Sequence, residues 1–468
     1  MNTDLPVVVI GAGPVGLAAA AHLAERDIPF LVLEAGDRPA AAIREWGHVR
    51  LFSPWRYNLD AAARRLLLDA GWVEPDADAL PTGAQLADDY LQPLADLPAL
   101  KPHVRYGARV EAVTRDGLDR VRTAGRDTTS FLVRTSDEDV LARAVIDASG
   151  TWTIPNVLGS SGVPARGEAA AARFVESALP DVLGADRDRF AGQRTVVVGA
   201  GHSAANTLLS LAELATLVPG TSVVWAIRAT SPARTYGGES ADALPARGAI
   251  GSLLRAHVEA GTVELVTGFS VQSITVADGQ VQLSDGVTTL TADRIVSATG
   301  FRPDHGIVGE LRLDLDPILG STRALAPLID PNEHSCGTVP PHGVDELTHP
   351  EPGYYAIGVK SYGRAPTFLL ATGYEQARSV VAALDGDWDA ARDVQLDLPE
   401  TGVCSSDIPV DATTINDTSN CCGTSNETAA PVNRGLATGI ASGLLSAPVT
   451  LLPVARTNAE QQSGGCCG

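Results

Sequence analysis

The stretch Val7-Val8-Val9-Ile10-Gly11-Ala12-Gly13-Pro14-Val15-Gly16 constrains the fold more than any other part of the chain. An apolar run too short for a membrane span meets three glycines at G-x-G-x-x-G spacing, and an Ala-rich helical pattern continues from Leu17 to Leu23. This reads as strand, tight turn and helix. Gly11 permits the turn, Gly13 lets backbone approach a pyrophosphate, and Gly16 lets the helix pack close to the strand. The phosphates then sit at a helix N-terminus, so Gly11, Gly13, Pro14 and Gly16 are the expected contacts. A second apolar run, Phe30 to Leu33, ends in Glu34, at the distance of ~20 residues usual for an acid that binds an adenosine ribose.

The loop from Arg44 to Trp55 is dense in aromatic and cationic groups. It is placed to lie against a flavin, with Arg44 or Arg50 balancing pyrophosphate charge; the other reading is a packed loop with surface arginines. Alternating segments at Val104 to Thr114, which includes Val110, and at Ser130 to Thr135 read as strands. Ala144 to Gly150 is a buried strand ending in small residues, where backbone can approach a ligand. Val110 and Gly150 are therefore counted with the first nucleotide site.

The opening motif then recurs. Thr195 to Ala205 is again strand, Gly-turn and helix, with Gly199, Gly201, His202 and Ser203 in the loop and Ala204 in the third glycine's place. The next strand ends in Arg228, where an NAD site would carry an acid. An arginine there suits a 2′-phosphate and favours NADPH over NADH. Arg234 is a second candidate, and a solvent-facing arginine is the alternative for both. Ala298-Thr299-Gly300 repeats the close of the first unit, and the strand at Pro352 to Lys360, carrying Gly358, returns the chain to it. A helix beginning near Phe368 is placed with its N-terminus by the flavin pyrimidine ring.

The expected fold is therefore α/β, with two Rossmann-like dinucleotide-binding domains. An FAD domain, residues 1–158 and 296–390, is interrupted by an NADPH domain, residues 159–295. Residues 391–468 read as a flexible, low-complexity tail rich in Thr, Ser, Asn, Gly, Ala and Pro. A length of 468 residues accommodates two cores and more. The net charge of −21 argues against nucleic acid or an anionic membrane as partner. The N-terminus lacks the basic region and cleavage site of a signal peptide, which points to the cytoplasm. Gly435 to Ala455 is uncharged, but its glycines, serines and prolines make a poor bilayer helix.

The chain from residue 6 to about residue 385 resembles the flavin-containing monooxygenase and thioredoxin-reductase-like superfamily of FAD- and NADPH-dependent oxidoreductases. More narrowly, Gly199 to Asn206, Tyr236-Gly237-Gly238 and Lys360-Ser361-Tyr362-Gly363-Arg364-Ala365-Pro366-Thr367 resemble the flavin-dependent monooxygenases of bacterial arsenic-resistance operons. The resemblance implies FAD and NADPH as cofactors, and a monooxygenase-like activity linked to arsenic or metalloid detoxification. Two departures stand out. The linker has no histidine between His103 and His202, where flavin-containing monooxygenases usually carry one, and no C-x-x-C or C-x4-C occurs in either domain. The second departure excludes disulfide reduction by the usual route.

Lys360 and Arg364, close after the last strand of the FAD domain, are the candidates for electrostatic stabilisation near the isoalloxazine; contact with cofactor phosphates or the surface is the alternative. Five of the six cysteines follow residue 400. The vicinal pairs Cys421-Cys422 and Cys466-Cys467 can capture a soft metal or metalloid such as As(III) or Hg(II), or carry reducing equivalents. A soft-metal or metalloid reductase, or a sequestering protein, is accordingly the rival reading. The expected partners are a small-molecule or metalloid substrate, molecular oxygen and, as a homodimer, a second copy of the chain.

Overall fold

The computed structural model describes residues 4–242, 244–332, 339–366 and 368–396. The first segment supplies β1 (Val7–Ile10), β2 (Phe30–Leu33) and β3 (Val104–Arg105), then the antiparallel strands β4 (Val110–Arg115), β5 (Phe131–Thr135) and β6 (Asp139–Ala142), and then β7 (Ala144–Asp147). The middle segment supplies β8 (Val175–Glu176), β9 (Arg194–Val198), β10 (Ser222–Ala226), β11 (Val263–Val266), the antiparallel β12 (Ser273–Ala277), β13 (Gln280–Ser284) and β14 (Thr289–Ala292), and β15 (Arg294–Ser297). The third segment returns one strand, β16 (Tyr354–Ala356).

Two five-stranded parallel sheets result, ordered β16-β7-β1-β2-β3 and β11-β10-β9-β15-β8. Every residue of β1, β2 and β7 is buried, because each strand is covered on both faces. The pleat divides the side chains. Val7 and Val9 face a core shared with the helices Pro14–Glu25 and Leu370–Leu384, whereas Val8 and Ile10 face Val113, Phe131 and Val133 of the antiparallel sheet. The middle segment repeats this plan. Val197 and Trp225 pack on Leu208 and Leu211 of the helix His202–Leu217, while Val196 and Val224 pack on Ile274, Val281 and Leu283. Because β15 pairs with β9 through Ser297, the second sheet runs slightly past residue 295.

The helix Pro14–Glu25 is buried from Val15 to Leu23. Four consecutive alanines, Ala18 to Ala21, keep it thin enough to lie between the sheet and neighbouring helices. In each sheet the first strand of a glycine motif is central, flanked on one side by the next strand in sequence and on the other by a strand from much later. These are topological switch points, and a crevice opens there at the carboxyl ends of the strands.

Candidate functional site

At the first switch point Gly11 has φ +98°, and a Cβ on it would lie 2.9 Å from the Ala148 carbonyl oxygen just beyond β7. A Cβ on Gly16 would lie 2.0 Å from the Gly11 oxygen. Gly13 is different: nothing lies within 4 Å of the place its Cβ would take. It is the N-cap of a twelve-residue helix with no side-chain cap, followed by Pro14. The free N–H groups of this end therefore face open space, as a bound pyrophosphate requires. Glu34 follows β2 and accepts the Ala12 N–H at 2.6 Å and the Gly36 N–H at 2.8 Å. Its backbone carbonyl accepts Ala108 N–H at 2.8 Å, which brings the chain leading into β4 and the buried Val110 toward Glu34.

The second switch point repeats the geometry. Gly199 has φ +140°, and a Cβ there would lie 2.0 Å from the Ala298 oxygen, while the Cβ position of Gly201 is open. Gly201 is the N-cap of the sixteen-residue helix His202–Leu217, again without a side-chain cap. The loop is pinned from behind, with the Trp225 indole donating to the Gly199 oxygen at 2.7 Å and the Thr235 hydroxyl to the Ala200 oxygen at 2.9 Å. His202 and Ser203 open the helix. The His202 ring lies 5.2 Å from that of Phe52, so the aromatic loop of the first segment reaches the second nucleotide cradle. Desolvation and the nearby Arg247 guanidinium lower the His202 pKa. Arg228 is exposed beyond β10, with one guanidinium nitrogen on the Ser160 oxygen at 3.0 Å and others available to a phosphate. Arg234 is also exposed.

Gly150 and Gly300, the small-residue closures, have φ +73° and +85°. The two strands that cross between the sheets are tied by Asn156. Its N–H donates to the Gly300 oxygen at 2.9 Å, its side-chain amide to the Thr299 oxygen at 3.0 Å, and its carbonyl accepts the Thr299 hydroxyl at 2.9 Å. Beside this tie the Trp152 ring stacks on Phe301 at 4.6 Å and approaches Trp46 at 6.4 Å.

Of Arg44, Arg50, Lys360 and Arg364, the first three have protein partners for their side chains. Arg44 is paired with Asp88 and with the Pro39 oxygen, and Arg50 donates to the Leu80 oxygen at 2.6 Å. Lys360 is 1% exposed, and its Nζ donates to Asp147 Oδ2 at 2.6 Å and Ser149 Oγ at 3.0 Å. Its charge is thus taken up by a buried carboxylate at the end of β7. The Tyr354 hydroxyl and Ser149 complete the shell around Asp147, at 3.1 and 2.6 Å. Burial would raise the Asp147 carboxyl, but the Lys360 ammonium and the Ser149 bonds outweigh it and hold the pKa below its ordinary value. Arg364 is exposed and donates its backbone N–H to the Leu319 oxygen at 2.8 Å.

Sequence reasoning missed Asp147 as Lys360's partner; the available signal was an acid ending an otherwise apolar strand. It also missed Gln376, whose amide accepts the Gly358 N–H at 2.7 Å. Cys421, Cys422, Cys466 and Cys467 lie outside the described residues. Among the described residues no cluster of three or more His, Cys, Asp or Glu is arranged to hold a metal, and no helix is long and apolar enough to cross a membrane.

The model of the pyridine nucleotide-disulphide oxidoreductase family matches residues 8–317. The chain is 30% identical over 207 residues to indole-3-pyruvate monooxygenase YUCCA1 of rice, Oryza sativa subsp. japonica, covering 44% of each protein. The match therefore spans under half of that relative's length. It is 27% identical over 331 residues to ferredoxin-NADP reductase 1 of Cupriavidus pinatubonensis, covering 67% of this chain and 75% of the reductase. Among solved structures, bacillithiol disulfide reductase Bdr of Bacillus cereus aligns with a TM-score of 0.61 at 20% identity, over 82% of this chain and 99% of that one. A flavin-containing monooxygenase of Stenotrophomonas maltophilia aligns with a TM-score of 0.52 at 22% identity, over 82% and 98%. With two uncapped helix ends behind glycines that admit no side chain, the chain belongs to the pyridine nucleotide-disulphide oxidoreductase family.

Proposed function

We propose that the protein is an NADPH-dependent flavin monooxygenase acting on a small molecule, with a trivalent metalloid as the substrate class to test first. The carrying observation is the pairing of two open nucleotide cradles with the lack of any cysteine pair before residue 400. The electrons then leave by a route other than a flavin-adjacent disulfide. FAD, when bound, accepts a hydride from NADPH and supplies the electrons for reduction of oxygen. The balance is that of a monooxygenase: two electrons from NADPH and one proton, one oxygen atom to the substrate and the other to water.

The chain's own part is binding, orientation and exclusion of water. The N–H groups after Gly13 hold the FAD pyrophosphate and Glu34 the adenosine ribose. The N–H groups after Gly201 hold the NADPH pyrophosphate and Arg228 its 2′-phosphate. Lys360 fixes the ends of β7 and β16 at the first cradle through Asp147. Trp46, Trp152 and Phe301 cover the junction between the sheets and limit water there. The narrower link to arsenic rests on the sequence runs beginning at Gly199, Tyr236 and Lys360.

The test is stoichiometry. NADPH oxidation by the purified holoenzyme should accelerate with a trivalent arsenical, need oxygen, and yield one oxygenated product per NADPH. Equal NADPH consumption without oxygen would overturn oxygenation. The vicinal cysteine pairs favour a second reading, in which the tail captures a soft ion and delivers or sequesters it. Deleting residues 400–468 should then abolish metalloid binding, whereas the monooxygenase reading expects turnover to survive.

A further inference from the structure

The short turn Gly358–Tyr362 stands where the first glycine loop, the end of β7 and the helix Leu370–Leu384 converge. Gly358 has φ +71°, and a Cβ on it would lie 3.3 Å from Val15, the residue after Pro14 in the pyrophosphate-binding helix end. The turn is therefore part of the FAD cradle. Lys360 ties one side of it to Asp147. The other side is held by neutral groups that sequence gives no reason to associate.

Gln376 is fully buried in the helix Leu370–Leu384. Its Oε1 accepts the Gly358 N–H at 2.7 Å, and its Nε2 donates to Ser361 Oγ at 2.9 Å. The Ser361 hydroxyl in turn donates to the Gly358 oxygen at 2.7 Å. The second N–H of the Gln376 amide points to His342 Nε2 at 2.9 Å, and His342 Nδ1 lies 3.1 Å from the Pro340 oxygen. A carbonyl only accepts, so His342 Nδ1 carries the proton and Nε2 is a bare acceptor. That acceptor fixes which end of the amide faces Gly358. If the amide turned over, two N–H groups would meet at Gly358 with no acceptor between them.

We propose that Gln376 is a positioning residue for FAD, with its amide orientation set by the neutral His342 imidazole. The pair holds the Gly358 turn open against the flavin from the side opposite Lys360. This inference rests on the assignment of FAD to the first cradle.

The experiment uses the full-length holoprotein, with FAD retention measured by ultrafiltration and the flavin visible spectrum recorded in parallel. Gln376→Met keeps the length of the side chain but leaves the Gly358 N–H buried without an acceptor; FAD retention should weaken by about 10- to 100-fold, with a changed flavin band. Gln376→Glu keeps an oxygen for Gly358 and shares a proton with His342, so retention should stay within about three-fold. His342→Phe removes the orienting acceptor and should fall between the two. Binding of 2′,5′-ADP to the second cradle and thermal unfolding of the FAD-free protein report the fold independently. If Gln376→Met retains FAD with the wild-type affinity and spectrum, the inference is overturned. It is equally overturned if Gln376→Glu loses FAD as Gln376→Met does, with FAD-free stability falling in parallel, because that pattern marks a merely structural residue. Wild-type protein that fails to retain FAD would instead overturn the assignment of the cradle.

Discussion

Replacing Lys360 by Met leaves Asp147 buried with its hydroxyl and backbone donors but without a cation. Removing one partner of a buried ion pair costs about 3–5 kcal/mol, because the remaining charge keeps its desolvation penalty. Ser149 Oγ and N–H and the Tyr354 hydroxyl still bond the carboxylate, so the loss should fall near the lower end, about 3 kcal/mol at pH 7. The pH dependence gives a sharper signature. In the native protein the Asp147 pKa lies below its ordinary value of 3.8, so its stabilisation is complete above that pH and lost as pH falls through the folded pKa. Without Lys360, burial dominates and raises the carboxyl above its unfolded value. The variant then takes up a proton on folding, and its deficit narrows as pH falls from 8 toward about 5. His305, whose pKa burial and Lys360 lower, is partly relieved by the same substitution and shifts the deficit in the same direction. Urea unfolding of FAD-free protein at pH 5, 6, 7 and 8, followed by far-UV circular dichroism, measures both effects. The double variant Asp147→Asn/Lys360→Met should recover part of the loss and most of the slope. A Lys360→Met protein within about 1 kcal/mol of wild type at pH 7, with no pH-dependent deficit, would refute the reasoning.

The glycines of the second motif should separate cleanly. Gly199→Ala places a Cβ 2.0 Å from the Ala298 oxygen and should unfold or lose the nucleotide, whereas Gly201→Ala meets no protein atom and should keep its unfolding free energy within about 1 kcal/mol while raising KM for NADPH. Arg228→Ser should raise KM for NADPH by about 10- to 100-fold and leave KM for NADH unchanged, as read from initial rates with each nucleotide. His349 accepts the Asp314 N–H at 3.2 Å, and burial followed by His305 brings its pKa down to about 4 from 6.5. The unfolded chain therefore binds more protons between these values, so stability is complete above pH 6.5 and falls by on the order of 3 kcal/mol toward pH 4. His349→Asn should flatten that part of the stability–pH curve in urea titrations.

What was legible in the sequence was local and steric. Gly11, Gly16 and Gly199 stand where a carbonyl occupies the space of a side chain, and no other residue satisfies those positions, so the letters alone disclose the two cradles. Unbroken apolar runs likewise disclose strands covered on both faces, as in β1 and β7. The charged groups were not legible in this way. Lys360 and Arg364 looked alike, two cations after one strand, yet one is buried on Asp147 across 213 positions and the other is exposed. Periodicity carries no information about such partners, because a buried charge is specified by what it meets and not by its spacing.

The same distinction explains how the third segment completes the first sheet. β16 lies at the sheet edge and has only three residues, shorter than the expected strand from Pro352 to Lys360, because the chain turns at Gly358. Polar latches hold both its ends. Before it, Glu351 is fully buried between Arg115 and Arg126, at 2.7 and 2.8 Å, while Arg115 also donates to the Pro352 oxygen at 2.6 Å. After it, Lys360 grips Asp147, and Gln376 grips Gly358. Such ionic latches add little net stability over apolar packing, but a mispaired register would strand a buried charge at a cost of about 3–5 kcal/mol. They therefore help to select one register for this short strand. The first glycine cradle depends on that choice, since a shift of β16 by one residue would carry Gly358 away from Val15 and put a side chain in its place.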